Sequence, residues 1–177
     1  MTYNKIDFNN KTILITGGAG FIGSNLAFYF EDNYPQANVV VFDCFRNERV
    51  LSNGNPLSFG HYKNLIGFTG EVICGNINNK AELVLLNDYK IDYIFHQAAI
   101  SDTRVYDQEI VMQTNVNSFY DLLDIAKNNN SVVVYCLLHK ISLLTNSACN
   151  KIHYVLRHYF YYLHDNQYDS LFQLWQS

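Results

Sequence analysis

Gly17-Gly18-Ala19-Gly20-Phe21-Ile22-Gly23 places glycines at 17, 20 and 23, directly after the apolar, β-branched run Thr12–Thr16. A glycine turn between a strand and a helix has the ingredients for binding phosphate. Lacking a side chain, Gly17 can take the tight turn, Gly20 lets the backbone approach a pyrophosphate, and Gly23 lets the helix pack closely. The helix N-terminus adds N–H groups and the positive end of its dipole. Any tight strand-to-helix turn favours glycine, so the motif gains meaning from a second residue. Asp43 closes the run Asn38–Asp43, 20 residues after Gly23, where a carboxylate can accept hydrogen bonds from the adenosine ribose of a dinucleotide. An aspartate here favours NAD because it repels a 2′-phosphate. Arg46, Arg49 and Lys63, in the loop that follows, are able to pair with that phosphate, so NADP and NAD both stay open.

Elements must hold these residues in place. Ile22, Leu26, Tyr29 and Phe30 recur at helical spacing until Asn33-Tyr34-Pro35 breaks the pattern. The near-continuous apolar run 38–43 predicts a strand buried on both faces, which completes a βαβ unit. From Cys44 to Gly70 the chain turns polar and glycine-rich, with Asn53-Gly54-Asn55-Pro56 as a turn signal. This stretch predicts a long surface loop with one short helix at 61–65. Beyond it, strands are expected at 71–77, 91–96 and 131–135, and a helix at 80–89. A longer helix is expected over 104–128, with Met112, Val116, Phe119, Leu123 and Ala126 on one face. Alternating strands and helices predict an α/β fold, a Rossmann-like doubly wound parallel sheet with right-handed crossovers, occupying residues 1–135.

From residue 136 to 177 the character changes. His139, His153, His158 and His164 and the aromatic cluster Tyr159–Tyr162 appear, and no glycine follows Gly75. Ile152, Val155, Leu156, Tyr159, Phe160 and Leu163 keep helical spacing, which predicts a short helical tail packed on the sheet. His153, His158 and His164 are five and six residues apart, so they do not align on one helix face and no metal site is expected.

The residues also resemble a known family. Thr16-Gly17-Gly18-Ala19-Gly20-Phe21-Ile22-Gly23-Ser24-Asn25, followed by Phe95-His96-Gln97-Ala98-Ala99, looks like the extended short-chain dehydrogenase/reductase family of NAD-dependent nucleotide-sugar epimerases and dehydratases. Within it, Asp43-Cys44-Phe45-Arg46, Leu57-Ser58-Phe59-Gly60-His61, Lys63-Asn64-Leu65 and His96-Gln97-Ala98-Ala99-Ile100-Ser101-Asp102-Thr103 resemble the ADP-L-glycero-D-manno-heptose 6-epimerases of lipopolysaccharide precursor synthesis. The similarity covers residues 11–135. It implies cofactor contacts at Phe21, Ile22 and Asp43, along Gln97, Ala98, Ala99, Ile100 and Ser101, and at Asn115. Small residues after the fourth strand suit a nicotinamide ribose. His96 reads as a packed histidine. Asn76 stands where many relatives carry an aspartate directed at the adenine.

The family's reaction moves hydride between sugar and nicotinamide, and so needs a proton acceptor for the hydroxyl. The resemblance implies a tyrosine with a lysine four residues on, which lowers the phenol pKa, and a serine or threonine after the fifth strand. None of the fourteen tyrosines has lysine at that position, and Tyr135 leads into Cys136-Leu137-Leu138-His139. No catalytic residue is therefore assigned. Two readings of residues 136–177 stay open: a frameshift near codons 131 to 138 that leaves a truncated, impaired enzyme, or a genuine divergent cap on a non-catalytic dinucleotide-binding module. A non-functional truncation product is the third possibility.

Composition narrows the partners. The 177 residues are 49% hydrophobic and 16% charged with two prolines, a balance that folds. A net charge of −4 gives no electrostatic reason to bind nucleic acid or an anionic membrane. The polar start Met1–Asn10 is not a secretory signal, and no apolar run approaches the roughly 20 residues that cross a bilayer, so a cytoplasmic protein is expected. Cys44, Cys74, Cys136 and Cys149 lack paired spacing and read as buried reduced thiols.

Overall fold

The computed structural model describes residues 6–137 and 140–144, with side chains to Tyr135. The strands are β1 (Thr12–Thr16), β2 (Asn38–Asp43), β3 (Glu71–Cys74), β4 (Tyr93–His96), β5 (Val132–Leu137) and β6 (Lys140–Leu144). Their order in the sheet is β3-β2-β1-β4-β5-β6, parallel except for the antiparallel β6. Ile15 of β1 lies opposite Val41 of β2 on one side and Phe95 of β4 on the other. The chain winds outward from β1 to β3 and then crosses to β4, which makes the gap between β1 and β4 the point where the winding reverses. The sheet is the expected doubly wound one.

Strand side chains alternate between two cores, as the period of two requires. On one face Ile13, Ile15, Val39, Val41 and Phe95 pack against Leu26, Ala27 and Phe30 of α1 (Phe21–Asn33). On the other, Leu14, Val40, Phe42, Ile94 and Val133 pack against Leu83, Leu86, Leu122 and Ile125. These belong to α2 (Lys80–Leu83), the 3₁₀ turn Val84–Asp88 that continues it, and α4 (Ser118–Asn129). The helix expected over 80–89 thus tightens halfway. The short helix of the long loop is a 3₁₀ turn, Tyr62–Leu65.

The long helix differs from expectation in register. It starts at Gln108, as α3 (Gln108–Met112), and reaches α4 through a π turn, Gln113–Asn117. The wider turn inserts an extra residue and rotates the helix face. Met112 and Val116, expected inside, are 50% and 37% exposed, while Thr114, Ser118 and Leu122 are buried. The Ser118 hydroxyl donates to the Thr114 carbonyl across the wide turn, at 2.6 Å.

Two further expectations change. The segment after Tyr135 begins as sheet: β5 continues to Leu137, and β6 pairs back along it from Leu137↔Lys140 to Val133↔Leu144. The backbone groups on the outer edge of β5 gain partners this way. The helix expected within 152–163 and His139, His153, His158 and His164 lie outside the described residues, as do the side chains of Cys136 and Cys149. Cys44 and Cys74 are free thiols, but Cys74 is exposed rather than buried because β3 is the sheet's edge strand. Among the described residues, no helix is long and apolar enough to cross a membrane, and no group of three or more His, Cys, Asp or Glu could hold a metal ion.

Candidate dinucleotide site

The candidate residues meet at the carboxyl ends of β1, β2 and β4. Gly17 turns the chain out of β1 with φ +68°, in the left-handed region that favours glycine, and its N–H donates to the Phe42 carbonyl at 2.9 Å. A Cβ here would lie 2.6 Å from the Ala98 nitrogen, so the turn sits directly on the loop after β4. Gly23 packs the first turn of α1 onto the glycine turn itself. A Cβ on it would lie 2.7 Å from the Gly18 Cα and closer still to the Gly17 carbonyl oxygen. Gly20 is the helix N-cap: its N–H donates to Gly17, and no side chain caps the helix.

That N-terminus fits a phosphate. The first turn of α1 carries no acidic residue, and Phe21 and Ile22 are 64% and 47% exposed at its mouth. Helical spacing groups Ile22 with Leu26 and Phe30, but the buried side of α1 begins at Gly23. A thirteen-residue helix with no side-chain cap and no first-turn acid leaves its N–H donors and positive dipole end facing outward. This arrangement suits the pyrophosphate of NAD(P).

Asp43 stands at the end of β2 and is 5% exposed. Its carboxylate accepts from the Ala19 N–H at 3.0 Å and the Phe45 N–H at 2.8 Å, so it ties the glycine turn to the loop after β2. Burial pushes its pKa up, against the opposing pull of the Phe45 and Ala19 N–H groups and the Ser58 hydroxyl. Gly60 is pressed against the same carboxylate, leaving no room there for a Cβ. Ser58 and Gly60 belong to the stretch Leu57–His61 that carries the family resemblance, but their contact with Asp43 could not be read from the sequence, because only the return of the loop brings them here. Arg46 follows with its side chain exposed and its N–H donating to Gly60 at 2.7 Å. His61 and Asn64 both donate to the Ala19 carbonyl, at 3.0 and 2.8 Å, and fasten the 3₁₀ turn to the glycine turn.

After β4, Gln97, Ala98, Ala99, Ile100 and Ser101 form the second wall. The Gln97 N–H donates to Thr16 at 3.0 Å, and Ala99 and Ser101 are exposed. Asn115, in the π turn, clasps this loop twice: it accepts from the Ile100 N–H and donates to the Ile100 carbonyl, both at 2.8 Å. Asn115 thereby ties the π turn to this wall, with one donor and one acceptor position of its amide engaged. His96 is packed, stacked on Phe119 at 5.4 Å and hydrogen-bonded through Nδ1 to the Thr16 hydroxyl at 2.7 Å. Burial lowers its pKa to about 4, which keeps it neutral. Asn76 lies beyond β3 and accepts from the Asn78 N–H at 2.9 Å.

Comparison with known proteins bears on the family and the fold. The profile of the NAD dependent epimerase/dehydratase family matches residues 13–137. The ADP-L-glycero-D-manno-heptose-6-epimerase of Brachyspira hyodysenteriae is 30% identical over 123 residues, which is 70% of this chain and 36% of that protein. The crystal structure of the Helicobacter pylori ADP-L-glycero-D-manno-heptose-6-epimerase superposes with a TM-score of 0.67 at 52% identity, covering 76% of this chain and 41% of that one. A Brucella ovis UDP-glucose 4-epimerase in complex with NAD superposes with a TM-score of 0.56 at 27% identity, covering 71% and 35%. The chain therefore spans about two fifths or less of the length of these relatives. With the glycine turn, uncapped helix, buried Asp43 and small-residue loop on one sheet edge, and a family profile running from β1 through β5, the chain belongs to the NAD dependent epimerase/dehydratase family.

Proposed function

We propose that the chain binds NADP or NAD along the carboxyl edge of its sheet, as the cofactor-binding part of an ADP-heptose 6-epimerase-like protein. The uncapped N-terminus of α1 behind the left-handed Gly17 carries this reading. Phosphates meet Gly20, Phe21 and Ile22, the adenosine ribose lies toward Asp43, and the nicotinamide end lies along Gln97 to Ser101. Solved relatives with NAD bound support the reading. Calorimetric titration with NADP⁺ and NAD⁺ tests it; no heat with either dinucleotide would overturn it. Arg46 is the candidate for a 2′-phosphate. Arg46→Ala should lower NADP⁺ affinity about tenfold and leave NAD⁺ nearly unchanged, since an exposed charge-assisted contact is worth on the order of 1 kcal/mol.

We further propose that residues 1–177 do not by themselves interconvert nucleotide sugars. No tyrosine among them has a lysine four residues on, so a phenol activated in the family's manner is lacking. Turnover of ADP-heptose by the purified chain would refute this. Resequencing the gene from codon 125 onward distinguishes a shifted frame from a genuine divergent segment: a serine turn and a Tyr-x-x-x-Lys helix in another frame would mark the chain as an interrupted cytoplasmic epimerase.

A further inference from the structure

Asp102 lies on the loop after β4, beyond the expected cofactor contacts, and is the most heavily hydrogen-bonded carboxylate beside the site. One oxygen accepts from the Arg104 N–H and Nε, both at 3.0 Å. The other accepts from Arg104 Nη2 at 3.1 Å, Asn53 Nδ2 at 2.9 Å and Asn55 Nδ2 at 2.6 Å. Five donors fill the roughly four lone-pair sites of a carboxylate. The two asparagines come from the excursion between β2 and the 3₁₀ turn, about 50 residues earlier in the chain.

The tip of that excursion is a hydrogen-bonded turn. Gly54 has φ +81°, the Leu51 N–H donates to Asn55 at 2.7 Å, and the Asn55 N–H donates to Asn53 Oδ1 at 3.1 Å. Both amides are thereby aimed at one oxygen. Beneath them Leu51, Ile100 and Val105 bury a small apolar cluster, separate from the two cores of the sheet. Ser52 Oγ accepts from the Tyr106 and Asp107 N–H groups, each at 3.2 Å. The excursion leaves β2 at Asp43, meets the loop after β4, and returns to Asp43 at Gly60. It joins the two loops that flank β1.

We propose that Asp102 is a positioning residue that pins the 50–57 turn to the 100–107 loop, fixing the rim of the dinucleotide site and slowing release of the bound dinucleotide. This rests on the dinucleotide reading above. Asp102→Asn replaces one acceptor oxygen with an NH₂ group facing other donors. Because that variant risks misfolding, a double variant, Asn53→Ala with Asn55→Ala, removes the link from the other side and leaves the Asp102–Arg104 pair in place.

Two measurements on the full chain decide the matter. The first is amide exchange at Leu51 and Leu57. The second is the NADPH dissociation rate, followed by the fluorescence of the bound nicotinamide. In both variants, exchange at these amides should accelerate at least tenfold with β1 unchanged, and NADPH should leave about tenfold faster. Unchanged exchange overturns the latch. Faster exchange with an unaltered dissociation rate, or a lowered melting temperature as the sole effect, reduces Asp102 to a structural contact and overturns its role at the site. Wild-type protein that binds neither NADPH nor NADH overturns the underlying dinucleotide reading, and the positioning role with it.

Discussion

At the scale of single residues, His96 and Gly23 make the sharpest statements. His96 is held neutral in the fold with a pKa of about 4, because burial disfavours its charge, whereas an unfolded histidine titrates near 6.5. The unfolded chain therefore binds the extra proton first as pH falls, and stability drops from pH 6.5 toward 4. Between pH 7 and 5 this one group should remove about 2 kcal/mol. His96→Gln should flatten that part of the profile, as measured by urea denaturation at the two pH values. Gly23→Ala tests the glycine turn. Its Cβ has no space against the Gly17 carbonyl and the Gly18 Cα, so the backbone must move. A loss of about 1–3 kcal/mol is expected, together with weaker dinucleotide binding in a calorimetric titration.

At the scale of elements, the π turn between α3 and α4 does what an uninterrupted helix would not. It turns Thr114 and Ser118 inward and brings Asn115 onto both backbone groups of Ile100. Asn115→Ala would strip partners from the Ile100 N–H and carbonyl, for a cost of about 1–3 kcal/mol. Asn115→Asp keeps the acceptor but sets a carboxylate against the Ile100 carbonyl, and should recover little of the loss. Thermal denaturation and amide exchange at Ile100 check both variants. The helical spacing of Met112, Val116 and Phe119 was legible in the sequence. The extra residue in the turn was not, since it follows from where Asn115 and Ser118 find partners.

For the molecule as a whole, the sheet edge assembles groups from residue 17 to residue 115 into one strip, so a dinucleotide lying along it should report on the entire described fold. A ligand that binds only the folded state at about 100 times its Kd adds roughly 2.7 kcal/mol of stability. For a chain of this size that is a rise in Tm of about 5–10 °C. Differential scanning fluorimetry with NADP⁺ and NAD⁺ in parallel measures it, and the larger shift names the preferred cofactor. Gly17→Ala, strained at φ +68° and crowded by Ala98, should abolish the shift.

The sequence by itself determined the parallel sheet, its two apolar faces and the glycine turn between β1 and α1. Alternating apolar runs and clustered glycines act over a few residues, and local sterics reads them without help from distant parts of the chain. It also put Asp43 at the end of β2 and the small residues after β4. Tertiary structure decided the rest: that Asp43 holds the Ala19 and Phe45 N–H groups, that Cys74 is exposed on an edge strand, that β6 folds back on β5, and that Asn53, Asn55 and Arg104 converge on Asp102. Each of these depends on groups far apart in the chain seeking hydrogen-bond partners or leaving water, and such pairings exist only after the sheet has closed around its two cores.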